Sequence, residues 1–293
     1  MSDILALPKS GKRIFLLVFA VGILVRCWSF GIIPRGLHQD ELSNGLDAYY
    51  LANYQVDRTG VSLPVQFVSW GDGQSALYGY FAVPGIKLFG LNPYTIRLPN
   101  LIAGILIIPL FFLIGKRLID SRFGLLCMFL VAISPWNITG SRYGHEAYFV
   151  PFIFSLGFYF ILLSLQNNTK FLWAMAIFAV CLYGYITTFS TVPIFVSFTI
   201  LQLFITKKIA WQRILQGLGI FLFLATPILL FALVNSFQWD TIHFSKLTMP
   251  RLPNEPRYEA LVAIFKPDAL KELLGNLLVF LHLLWKQSDG WAR

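Results

Sequence analysis

The sequence predicts an all-α, polytopic helical membrane protein, and three observations support this fold class. The chain of 293 residues is 57% hydrophobic and only 13% charged, whereas about a quarter of the residues in soluble domains are charged. Several apolar runs approach the roughly 20 residues that cross a bilayer as a helix. Within these runs, the alternation of apolar and polar residues that is typical of strands is absent.

Seven candidate spans follow, at 14–33, 97–115, 123–139, 148–165, 171–188, 190–206 and 214–235. The first run is too long for the apolar core of a signal peptide and lacks a cleavage site of small residues, so we expect an uncleaved helix. The segment 76–90 is ambiguous, because it is short and contains Pro84 and Lys87. It either crosses the bilayer or lies in the interface as a helix.

Positive charge decides between these alternatives. If 76–90 does not cross, most of the loop Lys and Arg face the cytoplasm, in the N-terminus and in 115–122, 167–170 and 206–213. If it does cross, the last three segments lie outside, against the positive-inside rule. We therefore predict that 76–90 is interfacial and that the N-terminus is cytoplasmic.

This topology gives one membrane domain over 1–293, with external loops at 34–96, 140–147 and 236–267. The apolar stretch 273–285 is a candidate start of a further span. The net charge of +9 is concentrated in short loops, where it sets topology, so nucleic acid is not an expected partner.

The cysteines carry little functional signal. All three lie in apolar segments, where they are interpreted as small buried hydrophobes. No metal-ligand spacing is evident, which leaves the cofactor unknown and a divalent metal ion as an open alternative.

The external loops carry three clusters of charged residues. The first, HQDEL (38–42), contains the adjacent carboxylates Asp40 and Glu41. The other two clusters add Arg58, Asp72, Arg142, His145 and Glu146. The spans themselves are nearly uncharged, with Arg26 as the exception.

Each of these residues also has a purely structural interpretation. The two acids of the first cluster suit a helix N-terminus, and Asp72 between two glycines suits a turn. Arg142 and Glu146 are four residues apart and can form an ordinary helical pair. Arg26 can snorkel towards the interface.

Taken together, the clusters indicate one site at the membrane boundary. An acid pair beside the bilayer suits a general base that takes a proton from a hydroxyl. Arg and His on the same face suit a phosphate, which Arg binds bidentately. The implied substrate has a lipid tail, a phosphate at the level of the headgroups and a reactive group beyond it.

The motifs around these residues resemble a known family. HQDELSNGLDAYYLA, FGLNPYTIRLPN and SPWNITGSR are similar to the bacterial branch of the protein O-mannosyltransferases, which includes the undecaprenyl-phosphate aminoarabinose transferases. The resemblance covers about residues 20–160. It implies a GT-C membrane fold and a glycosyltransferase similar to family 39. Members are usually longer, so we expect this chain to be C-terminally truncated.

The resemblance also implies roles for individual residues. Asp40 would be the catalytic residue with Glu41 beside it, and 40–54 and 76–90 would be interfacial helices. Glu146 is the nearest match to a second acidic position of the family.

The implied reaction moves a sugar, with inversion, from a polyprenyl-phosphate donor to a hydroxyl acceptor on the outer face of the cell membrane. Arg142, and also Arg58 or Arg26, would balance the leaving phosphate, with His145 and Asp72 completing the substrate-binding set. Two other classes stay open. One is a flippase or transporter of lipid-linked sugars, which leaves its lipid chemically intact, and the other is a non-catalytic subunit of envelope assembly.

Overall fold

The structure, a computed structural model, describes residues 7–253 and 269–286, and α-helices dominate this part of the chain. The helices are α1 (Lys9–Cys27), α2 (Gln39–Tyr54), α3 (Ala76–Phe89), α4 (Pro93–Leu118), α5 (Ser121–Ile133), α6 (Pro135–Gly140), α7 (Val150–Ser164), α8 (Thr169–Cys181), α9 (Thr188–Ile205), α10 (Trp211–Ser236) and α11 (Ala269–Lys286). Two antiparallel hairpins pair β1 (Gln66–Ser69) with β2 (Asp72–Ser75) and β3 (Ile242–Phe244) with β4 (Leu247–Met249). A 3₁₀ turn at Glu146–Tyr148 precedes α7.

The helices coincide with the seven candidate spans, which correspond to α1, α4, α5 and α7 to α10. Four described segments are long and apolar enough to cross a membrane: Pro93–Leu118, Glu146–Ser164, Thr188–Ile205 and Trp211–Ser236. The prediction of a polytopic helical membrane protein is confirmed. The candidate further span at 273–285 coincides with α11, whereas 254–268 of the last external loop and 287–293 lie outside the described residues.

Three helices end earlier than predicted, α1, α5 and α8 (at Cys181 rather than at 188), and local reasons explain the first two. α1 ends at Cys27 rather than at 33, because Ser29 and Gly31 adopt left-handed φ values of 50° and 78°. α5 ends at Ile133 because Pro135 follows closely. A proline disfavours the α conformation of the residue before it, which here is Ser134. The chain then restarts as the short α6 with this proline in its first turn.

The helix α4 is central, since it packs against α1, α3, α5 and α7. Asn92 begins it with a capping box, in which its side chain accepts from the backbone N–H of Thr95 at 3.1 Å. The contact with α5 is unusually close: a Cβ on Gly124 would lie 2.6 Å from the carbonyl oxygen of Phe112. Small residues let membrane helices approach in this way.

A second core joins α7, α8, α9 and α10. The rings of Phe154, Phe178 and Phe195 meet with centroid distances of 4.9 to 5.4 Å in tilted and edge-to-face arrangements. Phe171 and Met175 of α8 are fully buried beside them. Such geometry is the favoured one for aromatic pairs.

The connecting loops sort to two ends of the helices. At one end, Arg117 donates to the Gln166 side chain, which joins the α4–α5 turn to the α7–α8 turn. At the other end, the Glu41 carboxylate accepts from the Gly144 N–H at 2.6 Å. The basic loops thus lie at one end and the acidic clusters at the other, as alternate crossing predicts. Their orientation relative to the cell stays a prediction.

The first long loop contains the two helices expected there. The predicted segments 40–54 and 76–90 are α2 and α3. They pack together through Ala48, Ala82 and Ile86. The β1–β2 hairpin between them was not predicted, and it places residues 66–75 beside the start of α2.

Candidate active site

The start of α2 places Asp40 and Glu41 in the first helical turn. His38 caps this helix: its Nδ1 accepts from the Asp40 N–H at 3.3 Å, while its own N–H donates to Glu41 Oε2 at 2.9 Å. Successive helical residues are about 100° apart around the axis. The two neighbouring carboxylates therefore face different surroundings.

Glu41 lies in a buried ion pair rather than beside Asp40. Its carboxylate accepts from Arg97 Nε at 2.8 Å and Nη2 at 3.1 Å, and both side chains are fully buried. Burial alone would raise the pKa of Glu41, but the Arg97 ion pair and the N–H groups of Gly144 and His38 hold it below its usual value. The predicted side-by-side acid pair is therefore corrected, because Glu41 is committed to this contact.

Arg97 was missed by the sequence reasoning, which named Arg26 as the sole charge in the spans. Arg97 begins the membrane part of α4 and also donates to the carbonyl of Gly36 at 2.7 Å and to that of Pro34 at 3.1 Å. The ion pair with Glu41 thus joins α2, α4 and the chain between α1 and α2. It positions the start of α2 and, with it, Asp40.

Asp40 faces an open cavity. Its Oδ2 lies 3.4 Å from His145 Nε2 and 3.3 Å from His38 Nδ1. The side chain of Asp40 keeps 32% of its surface exposed, so it is accessible from the cavity. The structure thereby brings together two residues, Asp40 and His145, that are more than one hundred positions apart in the sequence.

The tautomer of His145 follows from its backbone contacts. The N–H of Ala147 donates to His145 Nδ1 at 3.0 Å, so Nδ1 carries a lone pair and the proton of the neutral ring is on Nε2. Nε2 is the nitrogen next to Asp40. Glu146 lies on the other side, with Oε2 3.7 Å from Nδ1, and accepts from the Asn44 amide at 2.8 Å.

The cavity has a volume of about 180 Å³. Polar groups line one side: Asp40, Gln66, Ser69, Asp72, Gln74, Ser75, His145 and Glu146. Aromatic and aliphatic side chains line the rest: Trp70, Tyr185, Ile186, Phe189, Phe231 and Leu252. Phe189 belongs to α9 and Phe231 to α10, so the cavity lies where the loops meet the apolar helices.

Two further predicted residues approach this cavity differently. Asp72 lines it and accepts from the Gly73 N–H at 2.8 Å. Arg58 lies behind it, donating to Ser69 Oγ at 2.9 Å and reaching Asp47 with a distance of 3.6 Å. Asp47 is fully buried, and burial raises its pKa from 3.8 to about 7.

Arg26 is engaged by the helix backbone. Its guanidinium donates to four acceptors within 3.1 Å, the carbonyls of Gly22, Val131 and Ala132 and the side chain of Asn137. The interpretation that Arg26 snorkels towards the interface is wrong, because the side chain is fully buried and turns to the α5–α6 junction.

Arg142 does not pair with Glu146. The segment between them is a turn followed by a 3₁₀ turn, so the helical i,i+4 geometry is absent, and the guanidinium donates to the Val25 carbonyl. Among the described residues that line the cavity there is neither Arg nor Lys. The roles of Arg142, Arg58 and Arg26 towards a phosphate stay predictions.

Metal binding has no preformed ligand set in the described ranges 7–253 and 269–286. There, no three or more His, Cys, Asp and Glu side chains are arranged to hold a metal ion. Asp40 and His145 form a pair at 3.4 Å. A divalent ion therefore stays an untested alternative.

The fold and this site define a GT-C membrane protein, as the resemblance implied. Residues 74–236 match the model of the family described as dolichyl-phosphate-mannose-protein mannosyltransferase, and the chain belongs to this family. No curated protein shows significant sequence similarity to the chain.

Solved structures share the fold at low sequence identity. ArnT from Cupriavidus metallidurans, solved in the apo state and bound to undecaprenyl phosphate, is 15% and 16% identical with a TM-score of 0.59 in both cases. These alignments cover 79% of this chain and 44% or 43% of ArnT. The oligosaccharyltransferase AglB from Archaeoglobus fulgidus, in complex with an inhibitory peptide and a dolichol-phosphate, is 14% identical with a TM-score of 0.57, over 76% of this chain and 29% of AglB. The chain therefore spans less than half the length of these proteins.

Proposed function

We propose that this protein is a membrane glycosyltransferase that moves a sugar from a polyprenyl-phosphate carrier to a hydroxyl acceptor. The observation that carries the proposal is the position of Asp40. Its partly exposed carboxylate lies in a polar cavity, 3.4 Å from His145 Nε2, at the point where the external loops meet the apolar helices. Family membership supports the reaction class.

Asp40 acts as the general base in this reaction. The acceptor hydroxyl gives its proton to the Asp40 carboxylate while its oxygen attacks the anomeric carbon. The bond between that carbon and the phosphate oxygen breaks on the opposite face, and the electron pair leaves with the phosphate. The configuration at the anomeric carbon is therefore inverted, and the polyprenyl phosphate is released.

His145 positions the base. Its Nε2, which carries the proton of the neutral ring, lies 3.4 Å from Asp40 Oδ2 and holds this carboxylate oxygen in place for the acceptor hydroxyl. Glu41 acts further away, because its ion pair with Arg97 fixes the first turn of α2. We assign Glu41 a positioning role and keep the catalytic role for Asp40.

The lipid nature of the donor agrees with the apolar wall of the cavity. Phe189 of α9 and Phe231 of α10 line it on the side of the spans, where a polyprenyl chain in the bilayer would approach. ArnT and AglB are described with undecaprenyl phosphate and dolichol-phosphate respectively, which supports a carrier of this class. The reaction would take place on the outer face of the cell membrane.

The variant Asp40→Asn tests the proposal. It keeps the shape and capping ability of the residue but removes the base, so transfer should fall by about 10²–10⁴-fold. Asp120→Asn is the matched control, since Asp120 also begins a helix, accepting from the Phe123 N–H at 2.8 Å, but lies at the basic end. Transfer by this control should stay close to wild type.

Release of free polyprenyl phosphate distinguishes the proposal from a flippase. A transferase converts the donor to free carrier in step with glycosylated acceptor, whereas a flippase leaves the donor intact. A folded Asp40→Asn protein that retains wild-type transfer would contradict the assignment of the base. Movement of intact donor without release of carrier would contradict the transferase.

A further inference from the structure

The β1–β2 hairpin presents an aromatic ring to the cavity in a costly backbone conformation. Trp70 and Gly71 form its two-residue turn, with φ values of 56° and 79°. Such turns favour Asn or Gly at the first position, and a bulky residue at positive φ is strained. Strained residues cluster where a site requires a particular placement. The fold thus holds Trp70 at the hairpin tip despite its backbone cost.

The ring of Trp70 is not used to fill a core. The residue is 76% exposed, although it lines the cavity that contains Asp40. The indole therefore forms part of the cavity wall while most of its surface stays exposed.

The rest of the hairpin supplies hydrogen-bonding groups to the same cavity. Gln66, Ser69, Asp72 and Gln74 line it with amide, hydroxyl and carboxylate functions. Ser43 Oγ ties two of them in place, with Gln74 Oε1 at 2.7 Å and Ser69 Oγ at 3.0 Å. The polar wall is therefore fixed before a ligand arrives.

Gln66 carries an unused acceptor. It is 5% exposed, and its side-chain oxygen has no hydrogen-bond partner within the described ranges of the chain. Buried acceptors are normally satisfied, so an orphaned one calls for an explanation. A ligand hydroxyl that enters the cavity would satisfy it.

We propose that the hairpin 66–75 is a carbohydrate subsite in which Trp70 stacks on the face of a pyranose ring. Sugars combine apolar C–H faces with several hydroxyls, and this wall combines an aromatic face with amide and carboxylate groups. The inference rests on the proposed function for the source of the ring, which is either the sugar of the donor or a glycan acceptor. Binding of the ring itself is a separate property.

Binding is tested without catalysis, using the full chain in detergent micelles and a panel of methyl hexopyranosides and pentopyranosides. Saturation-transfer NMR should show contact with the ring protons of at least one glycoside. Trp70→Ala should weaken this binding about threefold to tenfold, and Trp70→Tyr should restore most of it. Trp28→Ala is the matched control, since Trp28 is 74% exposed but does not line the cavity, and it should bind like wild type.

The transfer assay then identifies the source of the ring. Trp70→Ala should raise the KM for the donor if the ring is the sugar of the carrier, and the KM for the acceptor if it is a glycan. Asp40→Asn should lower kcat, because it removes the base.

The two proposals fail separately. If glycosides bind through Trp70 but no transfer occurs, the transferase is wrong and the subsite stands. If no glycoside binds, or if Trp70→Ala binds like Trp28→Ala, the subsite is wrong. Transfer that depends on Asp40 would in that case still support the reaction.

Discussion

Arg97 and Glu41 form a fully buried ion pair, with Nε and Oε1 2.8 Å apart, that links the first turn of α2 to the start of α4. The Gly144 N–H donates to the same Glu41 oxygen at 2.6 Å. This hydrogen bond ties the loop that carries His145 to the ion pair. One carboxylate thus fixes the two segments whose side chains meet in the cavity. The relative placement of Asp40 and His145 depends on it.

Glu41→Gln and Arg97→Met should each destabilise the protein strongly. Removal of one partner leaves the other buried without its counter-charge, which typically costs about 3–5 kcal/mol. The double variant should cost clearly less than the sum, because no unpaired charge remains. The free energies of unfolding of the two single variants and the double variant, measured in mixed micelles, test this. Asp240→Asn, in the exposed pair with Arg251 at 3.7 Å, should have no measurable effect on stability. Additive losses in the double variant would contradict a coupled pair.

His145 should affect turnover in a way that depends on its N–H group. His145→Ala removes the donor beside the Asp40 carboxylate. Catalytic contacts that are long in the free protein tighten when substrate binds, and Nε2 lies 3.4 Å from Oδ2. A hydrogen bond to a charged group formed in this way contributes about 1.5–3 kcal/mol, so kcat should fall about tenfold to a hundredfold. His145→Gln keeps an N–H donor and should recover much of this loss. A Gln variant as poor as Ala would indicate instead that the imidazole itself carries a proton, and the positioning role would be wrong.

Asp47 should make stability depend on pH. Burial raises its pKa from 3.8 to about 7 in the folded protein, so the folded state binds a proton between these values and the unfolded state does not. Stability therefore falls as pH rises through this window, by at most about 1.4 kcal/mol per pH unit for one proton. Above pH 7 Asp47 is ionised in both the folded and the unfolded protein, and the full loss of stability is present.

Asp47→Asn should remove this dependence, since its amide is neutral at every pH and its oxygen can still accept from the Arg58 N–H. Melting temperatures at pH 5, 6, 7 and 8 measure the slope. Asp240→Asn is the control, because this side chain is fully exposed, and it should keep the wild-type slope. Equal slopes for wild type and Asp47→Asn would show that Asp47 is not the group responsible.

Much of the helical fold was predictable, because long apolar runs have few alternatives in a bilayer. The hairpin was not, since residues 66–75 are short and polar, and their Trp70–Gly71 turn lacks the usual Asn-Gly or Asp-Gly signal. The partner of Glu41 was also hidden, because Arg97 lies 56 positions away and only tertiary packing brings them together. The different directions of Asp40 and Glu41 could have been found from helical geometry alone.

The charge distribution predicts that the cavity faces the outside of the cell. Basic residues are abundant at the opposite end of the helices, in terminal helical turns and in loops: Lys9, Lys12, Arg13, Lys116, Arg117, Arg122, Lys170, Lys207, Lys208 and Arg213. An excess of Lys and Arg marks cytoplasmic loops.

In a variant without the natural cysteines, Ser62→Cys should react with an impermeant maleimide on intact cells, and Lys208→Cys only after permeabilisation. Both positions are exposed. Asp240→Cys should behave like Ser62→Cys, because Ser62 contacts the Lys246 carbonyl of the second hairpin. Labelling of Ser62→Cys and Lys208→Cys from the same side would contradict the topology, and the reverse pattern would place the site in the cytoplasm.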